Sequence, residues 1–167
     1  LMQKEAEGYG IVYKEKEPYE VLSTNWLTYG EVLKLKMVES MVEVYYNSGQ
    51  FWHTLEYLVP LEKDAFTFYE KLGSFYEKKG YSEISHSRMR RYEILLEYLK
   101  EETDVPTEVA AQKMLYDLYL REKLKKRPVF APDQKQYETA VWNYRKNNQV
   151  SKTAHIEVFV NATVFLF

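Results

Sequence analysis

Cysteine is absent from this chain of 167 residues. Without cysteine, the chain has no disulfide bond, no thiolate nucleophile, no Cys-ligated zinc and no Cys-bound iron–sulfur cluster of its own. Disulfides are features of oxidising compartments, so a chain that forms none is expected in a reducing one. We therefore predict a cytoplasmic location.

Long apolar runs and an excess of one charge are also missing. No apolar stretch approaches the roughly 18 to 20 residues that a membrane-spanning helix needs. Lys4, Glu5 and Glu7 lie where a signal peptide needs an apolar segment. The 23 Lys plus Arg and 25 Asp plus Glu give a formal net charge of −2, which provides no overall attraction to nucleic acid. We expect no contact with a membrane.

Aromatic residues, in contrast, are abundant: 16 Tyr, 8 Phe and 3 Trp make up 16% of the chain. With 46% hydrophobic and 29% charged residues, the composition is that of one folded domain with a single core. Two interpretations of the aromatic residues remain open. Either the tyrosines lie between helices at the boundary of the core, or some of them form a surface that another body covers.

Both ends of the sequence differ from free termini, which are commonly polar and frayed. The sequence opens with Leu1 and Met2 and stops on an apolar V-F-L-F run at 164–167. This pattern predicts a domain cut from a longer protein. An intact small protein is the alternative.

The first part of the chain carries strand signals followed by a helix. Residues 9–24 have apolar residues on both sides of a charged turn, which predicts one or two short strands. Thr28 and Glu31 have the spacing of a capping box, which predicts that a helix begins at Thr28. Gly49 supplies a left-handed stop at the end of this helix. Its expected inward face has apolar residues at steps of three and four: Leu35, Val38, Val42, Tyr45 and Tyr46.

Two helices are predicted in the middle of the chain. The first covers about 50–59 and ends near Pro60. The second runs from a cap at Asp64 to a stop at Gly80. Its inward residues are expected to be Phe68, Leu72, Phe75 and Tyr76.

Three more helices follow. One begins at Ser85 or Ser87, the next runs from Thr107 until Pro128 ends it, and the last is capped by Asp133. The expected inward residues are Met89, Tyr92, Leu95, Leu96 and Leu99 in the fourth helix and Leu115, Leu118 and Leu124 in the fifth. The sixth carries Tyr137, Val141, Trp142 and Tyr144 and ends at the asparagines that follow.

The C-terminal residues 153–167 are β-branched and aromatic, which predicts two strands around Asn161 and Ala162. The predicted fold class is mainly α, with about six helices and short β-strands near both termini. The terminal strands can pair with each other or with a sheet of the remaining protein. The single domain 1–167 divides into a strand-containing junction at 1–27, a helical body at 28–148 and a strand pair at 149–167.

Residues that carry catalytic chemistry are scattered. His53, His86 and His155 fall in different predicted elements. Glu83 and His86 form one E-x-x-H pair, but a carboxylate-bridged di-iron site needs a second such pair and two further carboxylates. The chain has neither a G-x-S-x-G motif nor a phosphate-binding loop. We predict no catalytic, cofactor-binding or metal-binding residue in this chain.

The stretch from Tyr45 to Phe51, Y-Y-N-S-G-Q-F, is the most distinctive in the sequence. Tyr45 and Tyr46 are expected to close a helix, Gly49 to reverse the chain, and Phe51 and Trp52 to re-enter the core. We predict that Tyr45, Tyr46 and Phe51 are substantially buried in a structural corner between helices. An exposed ring among them would instead indicate an interaction surface. The candidate residues are Trp26, Tyr29, Tyr45, Tyr46, Asn47, Ser48, Gly49 and Phe51.

Two clusters of basic residues form the second candidate surface. The first contains Arg88, Arg90 and Arg91. The second, a candidate basic contact patch, contains Arg121, Lys123, Lys125, Lys126 and Arg127. Such clusters bind RNA phosphates when aromatic residues lie nearby. The second cluster is predicted in the last turns of a helix, where positive charge complements the helix dipole, so we favour a helix end with little affinity for nucleic acid.

Several segments resemble the domain family of unknown function DUF4080. They are P-Y-E-V-L-S-T-N-W-L-T-Y-G-E at 18–31, L-K at 35–36, V-E-S-M-V-E-V-Y-Y-N-S-G-Q-F at 38–51 and F-Y-E-K-L at 68–72. L-Y-D-L-Y-L-R-E-K at 115–123, followed by Pro128, is also similar to the family. The similarity is densest over residues 9–76.

The resemblance implies an accessory domain at the C-terminal end of a protein that resembles cobalamin-binding radical SAM enzymes. In such a protein the iron–sulfur cluster, S-adenosylmethionine and cobalamin bind to the upstream catalytic region, and no catalytic residue of the family carries over to this chain. The domain would pack against the catalytic barrel and shape the access of substrate or of a partner. The parent protein would be a radical SAM enzyme, whereas this chain alone would not.

Exposed strand edges and apolar patches tend to find partners, so we also expect the isolated chain to self-associate. The alternative function is a free-standing helical module that binds protein or RNA. A C-x-x-x-C-x-x-C motif upstream of Leu1 in the source gene would favour the accessory domain over this module.

Overall fold

The computed structural model describes residues 6–17, 19–124, 126–151 and 154–159, and the backbone of 163–166. Six α-helices lie in these residues: α1 (Tyr29–Met41), α2 (Trp52–Leu58), α3 (Ala65–Lys79), α4 (Arg88–Glu102), α5 (Thr107–Tyr119) and α6 (Glu138–Asn148). Four short strands flank them: β1 (Val12–Tyr13), β2 (Val21–Ser23), β3 (Ile156–Phe159) and β4 (Thr163–Leu166). The predicted mainly α fold with strands near both termini is confirmed.

The strands form one antiparallel hairpin at each end of the described chain. β1 pairs with β2, and β3 pairs with β4 in a register that sets Ile156 opposite Leu166 and Phe159 opposite Thr163. Each terminal pair is therefore local, and among the described residues the N-terminal strands do not pair with the C-terminal strands. The predicted turn residues Asn161 and Ala162 lie outside the described residues.

Short polar side chains start three of the helices as predicted. The Thr28 hydroxyl accepts the backbone N–H of Glu31, and the Glu31 carboxylate accepts the N–H of Thr28 in return. Asp64 accepts the N–H of Thr67 at the start of α3. Of the two serines considered for α4, Ser87 is the one that caps it. These bonds satisfy backbone donors that the first helical turn leaves unpaired.

The first predicted helix consists of two parts. After Met41, α1 continues as a π-helix over Val42–Asn47, a rare wide turn that occurs often at functional sites. Gly49 has φ +62°, so the predicted left-handed stop is confirmed. We call Val42–Asn47 the π segment.

The predicted inward face of this first helix is partly wrong. Tyr45 is fully buried, but Tyr46 is 57% exposed and Leu35 is also exposed. The buried residues of α1 and the π segment are Val32, Val38, Met41 and Tyr45. Tyr45 and Tyr46 are successive residues of the π segment and point in different directions, which leaves Tyr46 exposed while Tyr45 is buried.

Two predicted helix boundaries are also wrong. α5 ends at Tyr119 rather than near Pro128, which leaves Leu124 and the basic patch beyond the helix. Asp133 does not cap α6; its carboxylate accepts the N–H of Lys135 ahead of a 3-10 turn, and α6 begins at Glu138 without a side-chain cap. Just after the end of α5, Arg121 donates to the carbonyl oxygen of Gly49.

The core lies among the first five helices, with α1 against α3 and α2 against α5. The predicted inward residues of α3 are all buried, and those of α4 are buried except for the half-buried Met89. The largest fully buried side chains are Tyr45, Tyr92, Tyr98, Phe51, Phe68, Leu58, Leu72, Ile94, Leu95, Leu99, Met114 and Leu115. Much of the aromatic content thus serves the core. Within the described part of the chain, every helix is too short or too polar to cross a membrane.

Candidate interaction site: an aromatic groove

An open groove of about 660 Å³ lies between the π segment, α2 and the start of α3. We call it the aromatic groove. Its lining residues are Val38, Val42, Tyr45, Tyr46, Gly49, Trp52, Leu55, Glu56, Val59, Pro60, Ala65, Phe66 and Tyr69. Glu56 is the only charged side chain among them, so the groove favours an apolar occupant.

Tyr45 forms the floor of the groove and is held in place by hydrogen bonds. The ring of Tyr45 packs on Phe51 with 4.8 Å between ring centroids. Its hydroxyl donates to the carbonyl oxygen of Arg91 at 3.1 Å and lies 2.7 Å from the Tyr76 hydroxyl, which therefore acts as the donor in that pair. Burial raises the pKa of Tyr45 well above its usual value, with a smaller contribution from Tyr76. The predicted burial of Tyr45 and Phe51 is confirmed.

The rim of the groove consists of exposed aromatic side chains. Tyr46, Trp52 and Phe66 are 57%, 61% and 44% exposed, respectively. The predictions that Tyr46 is buried and that Trp52 re-enters the core are therefore wrong, although the structure does bring both to the predicted corner. The Tyr46 hydroxyl and the Trp52 indole N–H make no hydrogen bond within the described residues, so both are available to an occupant.

Tyr69 connects the rim to the core. Its ring is buried, and burial raises the pKa of the Tyr69 phenol to about 12, with a smaller contribution from the neighbouring Tyr46 phenol. Tyr69 thus stays neutral at physiological pH and lines the groove together with Tyr46. The side of the groove formed by Tyr46 and Tyr69 therefore carries no charge.

Asp117 of α5 holds the helix that carries Trp52. Its buried carboxylate accepts the N–H groups of His53 and Thr54 at 3.0 and 2.8 Å and the Thr54 hydroxyl at 2.7 Å, and it lies 2.7 Å from Nδ1 of His53. These contacts cap α2 from outside, because its own cap residue Phe51 offers no polar side chain. Asp117 was not among the site residues predicted from the sequence. Its signal was an acidic residue placed between Leu115 and Leu118 on the buried face of α5.

The remaining residues predicted for the corner play smaller parts. The Asn47 amide donates to Glu43 at 2.7 Å, and the Ser48 hydroxyl accepts the N–H of Gln50 at 3.3 Å. Trp26 and Tyr29 are exposed but lie outside the lining of the groove. Trp26 instead packs on Tyr9, with 5.7 Å between ring centroids.

The basic patch is not a continuous free surface. Arg121 donates to the carbonyl oxygen of Gly49. Arg127 donates from Nε and Nη2 to the buried carboxylate of Glu157, at 2.8 and 2.6 Å. Lys123 and Lys126 are exposed, and Lys125 lies outside the described residues. The two arginines thus hold parts of the fold together.

No cluster of three or more potential metal ligands (His, Cys, Asp or Glu) occurs in the part of the chain that the structure describes. Neither the curated proteins nor the solved structures give a match to this chain. A family model does match: that of the protein family of unknown function DUF4080, over residues 7–163. The match covers all six helices, the aromatic groove and Asp117, so this chain belongs to the DUF4080 family.

Proposed function

We propose that this chain is a non-catalytic accessory domain of a larger, B12-binding and radical SAM-like protein, and that its aromatic groove packs against the catalytic region of that protein. The observation that carries the proposal is the set of exposed aromatic side chains around the apolar groove. The iron–sulfur cluster, S-adenosylmethionine and cobalamin would all bind to the catalytic region. The association with that class of enzyme follows from the resemblance of residues 9–76 described above.

The rim has the chemistry of a protein interface. Tyrosine and tryptophan are enriched at interfaces because each joins a large apolar ring to a polar tip. Tyr46 and Trp52 present such tips without a partner in the described residues, and Phe66 adds a third ring. Burying each of these side chains would contribute on the order of 1.5 to 3 kcal/mol. Covalent linkage to the catalytic region would reduce the entropic cost of association.

The groove also limits what the occupant looks like. A helix that binds in an apolar groove inserts apolar side chains that are spaced by three or four residues. Glu56 in the lining would pair with a basic residue at one end of such a helix. We therefore propose that the occupant is an amphipathic segment of the catalytic region with an apolar face and one flanking Lys or Arg.

The alternative function is a free-standing helical module that binds protein or RNA, and its RNA-binding form has less support. RNA binding needs several free cations beside exposed rings. Arg121 and Arg127 already bind groups of this chain, and Arg88 donates to Glu122. We retain the prediction that nucleic acid is not the partner.

The proposal is tested by adding the upstream portion encoded in the same gene to the separately purified domain. Binding is expected, and Trp52→Ala should weaken it by about tenfold or more, as for an interface hot spot. Trp142→Ala is the matched control, because Trp142 is 60% exposed on α6 and lies outside the groove. Absence of binding, or equal effects of the two substitutions, would contradict the proposal.

A further inference from the structure

A second cavity, of about 310 Å³, lies on another side of α1, between that helix, the end of α3 and the segment at 81–87 that leads into α4. Its apolar lining includes Met37 and Met41 of α1 and Val44 of the π segment. Polar groups come mainly from the segment at 81–87 and from Arg91. A cavity of this size is at the lower end of the range for small-molecule sites.

Arg91 distinguishes this cavity from the rest of the surface. The other two arginines of its cluster have carboxylate partners, since Arg88 binds Glu122 and Arg90 lies 3.2 Å from Glu93. Arg91 lines the cavity and has no carboxylate partner among the described residues. A half-buried guanidinium without a counter-ion is a binding site for a carboxylate or phosphate group.

The position of the Arg91 charge relative to the cavity agrees with this. Burial raises the pKa of the Tyr76 phenol, and the hydrogen bond with Tyr45 and the charges of Arg91 and Arg90 oppose that rise. Tyr76 is itself part of the cavity lining. Arg91 and Tyr76 thus belong to the same cavity lining.

The polar wall supplies further hydrogen-bonding groups. Nε2 of His86 lies 2.9 Å from the Tyr81 carbonyl oxygen and must donate to it, which fixes the orientation of the ring. Ser82 and Ser85 belong to the cavity lining and are exposed, and their hydroxyl groups make no hydrogen bond within the described part of the chain. Each of them can donate one hydrogen bond to an oxyanion.

The surrounding charges decide between a singly and a doubly charged anion. The Lys36 ammonium is already paired with Glu20 at 2.8 Å. Glu77 also lines the cavity and would repel any anion, a dianion more strongly than a monoanion. With one unpaired guanidinium and one carboxylate among the described residues of the lining, the cavity suits a monoanion better than a phosphate monoester.

We infer that this cavity binds a small monocarboxylate, with the carboxylate on Arg91 and the two serine hydroxyls and with a short aliphatic chain on Met37, Met41 and Val44. This inference is independent of the aromatic groove and of the proposed accessory role.

The test is a titration of the chain, labelled at its methionine methyl groups, with hexanoate followed by NMR. Saturable shifts of the Met37 and Met41 signals are expected. Arg91→Gln should weaken binding by about tenfold or more, because a charge-assisted hydrogen-bonded pair is lost. Arg88→Gln is the matched control, since that arginine pairs with Glu122 outside the cavity.

Hexan-1-ol and hexyl phosphate serve as comparison ligands. Equal binding of the alcohol would overturn the inference, and so would tighter binding of the phosphate or an Arg91→Gln variant that binds as the parent does. If Arg91→Gln does not fold, the double variant Ser82→Ala and Ser85→Ala provides the same test. Unchanged hexanoate affinity in that variant would also overturn the inference.

Discussion

The carboxylate of Asp117 caps α2 by accepting both the backbone N–H and the hydroxyl of Thr54, at 2.8 and 2.7 Å. The two residues are far apart in sequence, and both are buried. A short helix such as α2 gains little stability from its own backbone. Its position, and with it the position of Trp52 on the groove rim, therefore depends on α5.

We predict that Asp117→Ala lowers the free energy of unfolding by about 3 to 5 kcal/mol, because it leaves several buried donors without an acceptor. Asp117→Asn keeps one acceptor oxygen and should cost about 1 to 3 kcal/mol. Urea denaturation measures both. Asp104 is exposed and serves as the control. Asp104→Ala should change the free energy of unfolding by less than about 0.5 kcal/mol. A loss for Asp117→Ala as small as that of the control would show that the cap is dispensable.

Substitution of Tyr45 is predicted to lower the free energy of unfolding much more than substitution of its neighbour Tyr46. Tyr45→Ala removes a fully buried ring and should cost about 3 to 5 kcal/mol, and Tyr45→Phe about 1 kcal/mol through the lost hydroxyl contacts. Tyr46→Ala removes an exposed ring and should change the free energy of unfolding by less than about 1 kcal/mol. Chemical denaturation of the three variants distinguishes them. Similar losses for the two alanine variants would mean that Tyr46 belongs to the core after all.

Alanine is predicted to change the stability of the chain in opposite directions at two helical glycines, Gly73 and Gly30. A Cβ at Gly73 in α3 would lie 2.6 Å from Cγ of Met37, so Gly73→Ala should destabilise the chain by about 1 to 3 kcal/mol through overpacking. A Cβ at Gly30 in α1 meets nothing within 4 Å, so Gly30→Ala should stabilise it by about 0.5 kcal/mol. Thermal unfolding of the two variants checks the signs. An unchanged melting temperature for Gly73→Ala would mean that Met37 moves aside without cost.

The buried tyrosines predict a loss of stability at alkaline pH. Burial raises the pKa of Tyr69, Tyr98 and Tyr119 from 10.0 to about 12 in each case. Because the folded value is above the unfolded one, this contribution to stability is fully present below pH 10 and is lost as pH rises towards 12. Urea denaturation at a series of pH values should show the decline, with part of the phenolate absorbance appearing only on unfolding. A folded chain whose tyrosines are all ionised near pH 10 would contradict this.

Helix starts could be predicted from the sequence because their signals act within one turn. Thr28, Asp64 and Ser87 each bond to an N–H three residues later. The C-terminal stop at Gly80, with φ +70°, depends equally on local conformation. In α3 and α4, apolar residues at steps of three and four predicted most of the buried side chains correctly.

What the sequence analysis missed depends on contacts between distant residues. The end of α5 was placed too late because Pro128 is a local signal, whereas Arg121 leaves the helix and binds Gly49. Asp117 went unnoticed because an acid on a helix is commonly exposed, and its partners at the start of α2 are distant in sequence. The aromatic groove was found only in part for the same reason, since Phe66 and Tyr69 join it from α3.

The π segment makes the length of this stretch adjustable by one residue. A π-helical turn closes its hydrogen bond over one residue more than an α-helical turn does. Deletion of one residue from Val42–Asn47 would therefore let the backbone close as an ordinary α-helix. Such a deletion would leave α1 and α2 in place but would reorient Tyr46 and reshape the groove.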